Sequence, residues 1–163
     1  MKPSSLFGTA LIVLLLSGCG KSGSSSSGAP DSAAAGGVKE VDIAAGDTMK
    51  YDVTTIEARP GEALKVVLTN TGSLPKESMG HNWVLLKADA DVTGFDTAAA
   101  VAKATDYIPP AQSAAILAKI DLLGPHKSGE VSFTAPTVPG NYPFLCTFPA
   151  HYLVGMKGFL IVK

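Results

Sequence analysis

The stretch Cys146-Thr-Phe-Pro-Ala-His151-Tyr-Leu-Val-Gly-Met156 places a thiol, an imidazole and a thioether in one short segment near the C-terminus. A second imidazole lies far upstream, in Met79-Gly-His81-Asn-Trp83. A thiolate and two imidazoles in a trigonal plane, with a weak and long axial thioether, form the ligand set of electron-transfer copper sites. The sequence therefore predicts one copper ion with four ligands: His81, Cys146, His151 and Met156.

Other interpretations exist for the same residues. A lone cysteine or methionine usually packs in a core. Here, however, Cys146, His151 and Met156 share one loop, which argues against coincidence. Cys-His catalysis needs a third group to orient the base, and no Asn or Asp obviously completes a triad around Cys146. Zinc is the rival metal, although structural zinc sites use Cys and His rather than Met. His126 is interpreted as a surface histidine, and Trp83 as a core aromatic rather than an electron relay.

The N-terminus has the pattern of an export signal. Lys2 precedes an apolar run over residues 6–16, followed by Leu16-Ser-Gly-Cys19. This pattern is typical of a secretory signal peptide, and the run is too short to span a bilayer. The Leu-Ser-Gly-Cys ending resembles the lipobox of bacterial lipoproteins, which implies a signal peptide over residues 1–18 and a lipid on Cys19. Plain cleavage nearby, leaving a free cysteine, is the alternative.

Residues 19–37 are mostly Ser, Gly and Ala, which predicts a flexible linker because too little apolar surface can be buried. Residues 38–163 are long enough for one domain with a single core. The net charge of -1 gives no indication of nucleic-acid binding. With Cys19 acylated, Cys146 is the one thiol left, so no disulfide is expected.

Short alternating segments punctuated by turns predict a β-sandwich. The predicted strands cover residues 64–69, 83–86, 130–134, 142–147 and 158–163.

An alanine-rich region over residues 89–107 interrupts the strands and predicts a helical insertion. Asp96 or Thr97 is the expected cap, and Ile108-Pro-Pro110 the expected end. Residues 113–120 fit helix and strand equally well. The apolar face of the predicted helix consists of Phe95, Ala98, Ala99 and Ala102.

At these residues the chain resembles the azurin and auracyanin branch of the cupredoxins, over about residues 41–163. The most specific motifs are Leu74-Pro-Lys76, Met79-Gly-His-Asn-Trp-Val-Leu85, Cys146-Thr-Phe-Pro149 and Met156-Lys-Gly158. The resemblance implies an all-β, cupredoxin-like Greek-key β-sandwich of about eight strands with a small helical insertion. It also implies an electron carrier rather than an enzyme.

The resemblance assigns roles around the copper, which would cycle between Cu(I) and Cu(II). The four ligands carry over to the residues named above, and the Gly80 carbonyl to a weak fifth contact. The backbone amides of Asn82 and Phe148 would hydrogen-bond the Cys146 sulfur and tune the potential. The four residues between His151 and Met156 match the auracyanin spacing better than the shorter azurin spacing. The disulfide that azurins carry near the N-terminus has no counterpart here.

Together these features predict a membrane-tethered, exported copper protein of the cell envelope or periplasm. It would be a monomer that moves single electrons between redox proteins, such as c-type cytochromes or a respiratory or photosynthetic complex. The alternative is a copper-delivery or copper-buffering lipoprotein, although such carriers usually have exposed Met- and His-rich clusters. Electrons would enter at the His151 edge, through an apolar patch formed by Leu74, Pro75, Phe148, Ala150 and Leu153.

Overall fold

A computed structural model describes residues 37–163 of the chain. Its eight strands are β1 (Lys39–Ala45), β2 (Thr55–Ala58), β3 (Ala63–Asn70), β4 (His81–Leu86), β5 (Ile116–Leu123), β6 (Ser128–Thr134), β7 (Gly140–Leu145) and β8 (Lys157–Val162). Two short helices, α1 (Lys76–Met79) and α2 (Val92–Ala100), and two 3₁₀ turns, Lys103–Thr105 and Pro110–Ala115, lie in the connections.

The strands form two sheets, in the orders β1-β3-β6 and β2-β8-β7-β4-β5. The β1–β3 and β2–β8 pairs are parallel, and the other pairs are antiparallel. Because consecutive strands repeatedly change sheets, the chain winds around one shared core. The predicted all-β sandwich is confirmed.

Alternation along the strands decides what the core contains. Leu64, Val66 and Leu68 of β3 are fully buried between half-buried neighbours, as their spacing predicts. Trp83 of β4 is also fully buried, with its ring centroid 5.4 Å from that of Phe144. The prediction that Trp83 is a core aromatic is therefore confirmed.

Strand β4 is buried along its whole length because both of its faces are covered. Trp83 and Leu85 face the main core. Val84 and Leu86 face a second apolar cluster that includes Phe95 of α2. The helical insertion thus covers the outer face of the larger sheet, and for that reason β4 shows no polar alternation.

The details of the insertion differ from the prediction. Helix α2 is capped by Asp91, whose side chain accepts a hydrogen bond from the Gly94 amide at 3.0 Å, and not by Asp96 or Thr97. The helix ends at Ala100, well before Ile108, and the next residues turn through the 3₁₀ segment Lys103–Thr105.

On α2, Phe95 and Ala99 are buried as predicted, whereas Ala98 and Ala102 are only half-buried. The ambiguous residues 113–120 divide into the end of a 3₁₀ turn and the start of β5.

The fold places the candidate ligands at one end of the larger sheet. His81 begins β4, Cys146 directly follows β7, and Met156 directly precedes β8. Since β4, β7 and β8 are neighbours in the sheet, these chain segments meet at one edge. Within residues 37–163, no helix is long and apolar enough to cross a bilayer.

Candidate metal centre

Three ligating side chains meet at this edge. The ligand atoms of His81, Cys146 and His151 lie within 4.8 Å of one another, and all three residues are buried. The Cys146 sulfur is 3.4 Å from His151 Nδ1, and the two imidazole centroids are 5.0 Å apart. Met156, on the same loop, is fully buried as well. The structure therefore brings three of the four predicted ligands together and places the fourth beside β8.

The loop that carries three of these residues closes on itself through backbone hydrogen bonds. The amide of Cys146 donates to the carbonyl of Met156 at 3.1 Å, and the amide of Met156 donates to the carbonyl of His151 at 2.9 Å. Ala150 and Gly155 have φ values of 71° and 99°, which make the turns sharp. The loop is thus held in shape by its own backbone.

A reciprocal pair of hydrogen bonds ties the loop to β4. The Asn82 side chain donates to the Thr147 hydroxyl at 2.7 Å and accepts from the Thr147 amide at 2.8 Å. Both residues are buried, so water does not compete for these bonds. The pair fixes the position of His81, the residue before Asn82, relative to Cys146.

Burial shifts the protonation of the site. It raises the pKa of the Cys146 thiol to about 12, although the backbone amides of Asn82 and Phe148 oppose the shift by donating to the sulfur. Burial, helped by the neighbouring His81, lowers the pKa of His151 to about 4. Burial also lowers the pKa of His81, although the negative charge of Asp47 opposes this shift.

These properties fit a metal. Among the described residues, neither ring nitrogen of His81 has a hydrogen-bond partner, and buried polar atoms without partners are uncommon in folded proteins. Neutral imidazoles keep a lone pair for a cation. A buried set of two nitrogens and a thiol is the donor chemistry that copper prefers.

Gly80, the residue before His81, is required by its surroundings. A Cβ atom at this position would lie 2.7 Å from the Lys76 carbonyl oxygen and 2.9 Å from the Leu122 side chain. Only glycine lets the connection from α1 to β4 pass so close to the Lys76 carbonyl and to Leu122 of β5, and this close passage sets where His81 enters the site.

The predicted apolar patch is only partly at the surface. Leu74, Pro75, Ala150 and Leu153 are exposed, but Phe148 is buried, so its inclusion in the patch is wrong. Its ring lies between His151, at a centroid distance of 4.7 Å, and Tyr107, at 5.0 Å. His151 is also buried, so only the residues around it reach solvent.

Two features near the site were not predicted. Val154 is 44 % exposed and extends the apolar surface; as an apolar residue next to Leu153, it was recognisable from the sequence. The Tyr51 hydroxyl donates to the Asn82 carbonyl at 2.5 Å, and no sequence pattern indicates a contact between residues so far apart.

The remaining predictions concern other parts of the chain. His126 is exposed in a turn, as predicted. The signal peptide, Cys19 and nearly all of the predicted linker lie outside the described residues.

Comparison with known proteins identifies the family. Residues 38–163 match the family described as copper binding proteins, plastocyanin/azurin family. Auracyanin-B of Chloroflexus aurantiacus is 35 % identical over 120 residues, which are 73 % of this chain and 49 % of auracyanin-B. The chain therefore spans about half the length of that relative. Azurin of Pseudomonas chlororaphis is 36 % identical over 130 residues, which are 76 % of this chain and 98 % of the azurin.

Two further relatives complete the comparison. The outer membrane protein H.8 of Neisseria gonorrhoeae is 32 % identical over 111 residues, which are 67 % of this chain and 60 % of H.8. The crystal structure of dithionite-reduced auracyanin from Roseiflexus castenholzii has a TM-score of 0.68 and 36 % identity, covering 78 % of this chain and 99 % of that one. The chain belongs to the plastocyanin/azurin family, as a copper-binding cupredoxin of the azurin and auracyanin type.

Proposed function

We propose that this blue copper electron-transfer protein is a membrane-tethered carrier that passes single electrons between larger redox proteins of the cell envelope. The observation that carries the proposal is the convergence of His81, Cys146 and His151 within 4.8 Å in a buried site. These three residues would hold copper in a plane, with Met156 as the weak axial ligand. Bound copper supplies the chemistry by alternating between Cu(I) and Cu(II).

The surroundings of the ligands favour electron transfer over copper delivery. The loop is braced by its own backbone hydrogen bonds and by the Asn82–Thr147 pair. A braced ligand set rearranges little when the oxidation state changes, which lowers the barrier to electron transfer. A delivery site needs ligands that a chelator or partner can reach, whereas all four side chains here are buried.

The protein also tunes the sulfur. The amides of Asn82 and Phe148 favour the thiolate form of Cys146, which supports their proposed role in setting the redox potential. The Gly80 carbonyl, next to His81 in the chain, stays a predicted weak fifth contact.

Electron exchange would occur through an apolar surface around the ligand loop, here called the loop patch. Leu153 at 72 % exposure is its most exposed large side chain. A small apolar contact of this kind suits a partner that must bind and leave quickly. A c-type cytochrome or a respiratory or photosynthetic complex is the proposed partner class, and the carrier would act as a monomer. The loop patch consists of Leu74, Pro75, Ala150, Leu153 and Val154.

The tether is proposed from the N-terminal sequence. A lipid on Cys19 and a linker over residues 19–37, with a reach of roughly 20 Å, would keep the domain near a membrane while allowing it to reorient. The relative H.8 is named an outer membrane protein, which supports this location. Cys19→Ala should move the protein from the membrane fraction to the soluble fraction of lysed cells, and persistence in the membrane fraction would contradict the anchor.

An absorption spectrum of the copper-loaded soluble domain tests the central proposal. We expect an intense blue band that disappears on titration with a reductant and returns on oxidation. Cys146→Ser should abolish the band, because it arises from thiolate bound to Cu(II). A pale protein that gives its copper quickly to a chelator would favour the copper-delivery alternative instead. Alkylation-sensitive turnover without metal would indicate a Cys146 hydrolase.

A further inference from the structure

We propose that Tyr51 is a positioning residue for the copper site: its hydroxyl holds the backbone of Asn82 so that the Asn82 amide stays directed at the Cys146 sulfur. The proposal rests on the function proposed above, in which Cys146 is a copper ligand. It adds a residue from the β1–β2 connection, far from the ligands in sequence.

The ladder between β4 and β5 is irregular where this contact occurs. In the β4–β5 ladder, His81 pairs with Leu123 and Trp83 pairs with Ile120, with a register shift between the two pairs. On the other side, pairing of β4 with β7 includes only Val84 and Leu85. Asn82 therefore lies opposite a bulge in β5, where two residues, Asp121 and Leu122, face one residue of β4. On the β7 side Asn82 lies beyond the last paired residue of β4.

The polar groups of Asn82 are directed to different partners. Its amide acts on the Cys146 sulfur, favouring the thiolate against the larger effect of burial on the thiol pKa. Its side chain forms the reciprocal pair with Thr147. Its carbonyl accepts from the Tyr51 hydroxyl at 2.5 Å. The Thr147 pair holds the side chain of Asn82 and the Tyr51 hydroxyl holds its carbonyl. Loss of the phenol would therefore let the backbone of Asn82 rotate and change the direction of its amide.

Tyr51 is itself held rigidly. It forms a bridge with Ala45 at the end of β1, and its ring packs against Phe144 at a centroid distance of 5.8 Å. Burial raises the pKa of the Tyr51 hydroxyl well above its ordinary value, so the group stays a proton donor. A fixed donor on a buried carbonyl is suited to positioning, and replacing it with a hydrogen atom leaves that carbonyl without this partner.

Tyr51→Phe in the full-length protein tests the proposal, with Tyr142→Phe as the matched control. Tyr142 also donates its hydroxyl to a backbone carbonyl, that of Val138 at 2.8 Å, at the opposite end of β7 from the ligands. Both variants lose one tyrosine-to-carbonyl hydrogen bond. Only Tyr51→Phe should lower the midpoint potential and shift the blue band, because weaker donation to sulfur disfavours the more electron-rich reduced site.

A second readout does not depend on copper. In the copper-free protein, the Asn82 amide should exchange with solvent faster in Tyr51→Phe than in Tyr142→Phe, and its ¹⁵N chemical shift should move. The positioning role would be overturned if Tyr51→Phe lost only thermal stability and kept the wild-type midpoint potential, blue band and Asn82 amide exchange. A wild-type protein that shows no blue band would instead count against the proposed function, and the amide measurement would still decide on Tyr51.

A third measurement covers the case in which Tyr51→Phe does not fold. Replacement of Tyr51 by 4-aminophenylalanine keeps a donor at the same place and should restore the wild-type potential. In the wild-type protein, the Tyr51 hydroxyl proton should be visible by NMR in slow exchange with solvent. A hydroxyl proton in fast exchange, or an amino variant that behaves like Tyr51→Phe, would refute the contact.

Discussion

The proposed copper ligands are buried side chains that the fold keeps uncharged when copper is absent. With the pKa of Cys146 raised to about 12 and that of His151 lowered to about 4, neither side chain carries a charge near neutral pH. Copper binding must therefore release the thiol proton, so that metal affinity rises with pH. The copper-free fold avoids charge on these two side chains, but within residues 37–163 it leaves the ring nitrogens of His81 without hydrogen-bond partners.

This arrangement predicts acid sensitivity of the copper-free protein. The unfolded chain protonates His151 at a pKa of about 6.5, whereas the folded chain does so only at a pKa of about 4. Since the folded pKa is the lower one, the unfolded state binds more protons between these values. The stability that goes with a neutral, buried His151 is therefore fully present above the unfolded pKa. As the pH falls toward about 4, the free energy of unfolding of the copper-free protein should decrease by roughly 1–3 kcal/mol.

Chemical denaturation of the copper-free protein between pH 4 and pH 8 measures this loss. His151→Gln should show a flatter dependence than the wild type. His126→Asn, which changes an exposed histidine in a left-handed turn, should keep the wild-type slope. Equal slopes in wild type and His151→Gln would show that His151 is not buried as a neutral group.

Gly80→Ala should destabilise the protein through a steric clash. The new methyl group would meet the Lys76 carbonyl oxygen and the Leu122 side chain at less than 3 Å. We expect a loss of about 1–3 kcal/mol in the free energy of unfolding, as is usual for overpacking. Gly124→Ala is the control, since its methyl group meets only the Lys76 Cβ at 3.4 Å. A loss in Gly124→Ala as large as that in Gly80→Ala would argue against the clash.

Single residues also show how far the sequence alone can lead. The meeting of His81, Cys146 and His151 was predictable because two of them share one short loop and each carries distinctive chemistry. The burial of Phe148 and the hydroxyl contact of Tyr51 were not, because both depend on how separate segments pack. Alternating strands such as β3 were predictable because their pattern, like that of the loop, lies within a few consecutive residues.

Among the elements, α2 shows why boundaries are harder to predict than faces. Its buried residues Phe95 and Ala99 are four positions apart and lie on one face of the helix. This face stays the same wherever the helix begins. Its cap depends on where the chain leaves β4, and two other acceptors, Asp96 and Thr97, compete in the sequence. The structure assigns the cap to Asp91, one residue before the helix.

Asp91→Ala should therefore cost about 1 kcal/mol of stability by removing the acceptor for the Gly94 amide. Asp89→Ala is the matched control, because Asp89 is exposed and its side chain makes no hydrogen bond within residues 37–163. Thermal denaturation of both variants measures the difference. The blue band should be unchanged in both, since α2 packs on the outer face of the sheet. Equal melting temperatures for the two variants would contradict the cap.

At the scale of the whole molecule, the metal centre joins segments that the sandwich brings together from distant parts of the chain. Strand β4 supplies His81, and the β7–β8 loop supplies the other three proposed ligands. Copper would therefore connect segments that separate on unfolding, and its binding energy would add to the stability of the fold. The same end of the molecule carries the loop patch, so the proposed contact for electron exchange lies over the site.

Replacing Leu153 by lysine tests whether this end meets the redox partner. Leu153 is 72 % exposed on the ligand loop, whereas Val138, at 67 %, precedes the opposite end of β7. A lysine at the centre of an apolar contact costs on the order of 1–2 kcal/mol in desolvation, which corresponds to roughly a tenfold slower reaction. We expect this slowing with a c-type cytochrome in stopped-flow measurements for Leu153→Lys but not for Val138→Lys, with both spectra unchanged. Because both variants add the same charge, equal slowing would indicate a general electrostatic effect, and no slowing in either would place the contact elsewhere.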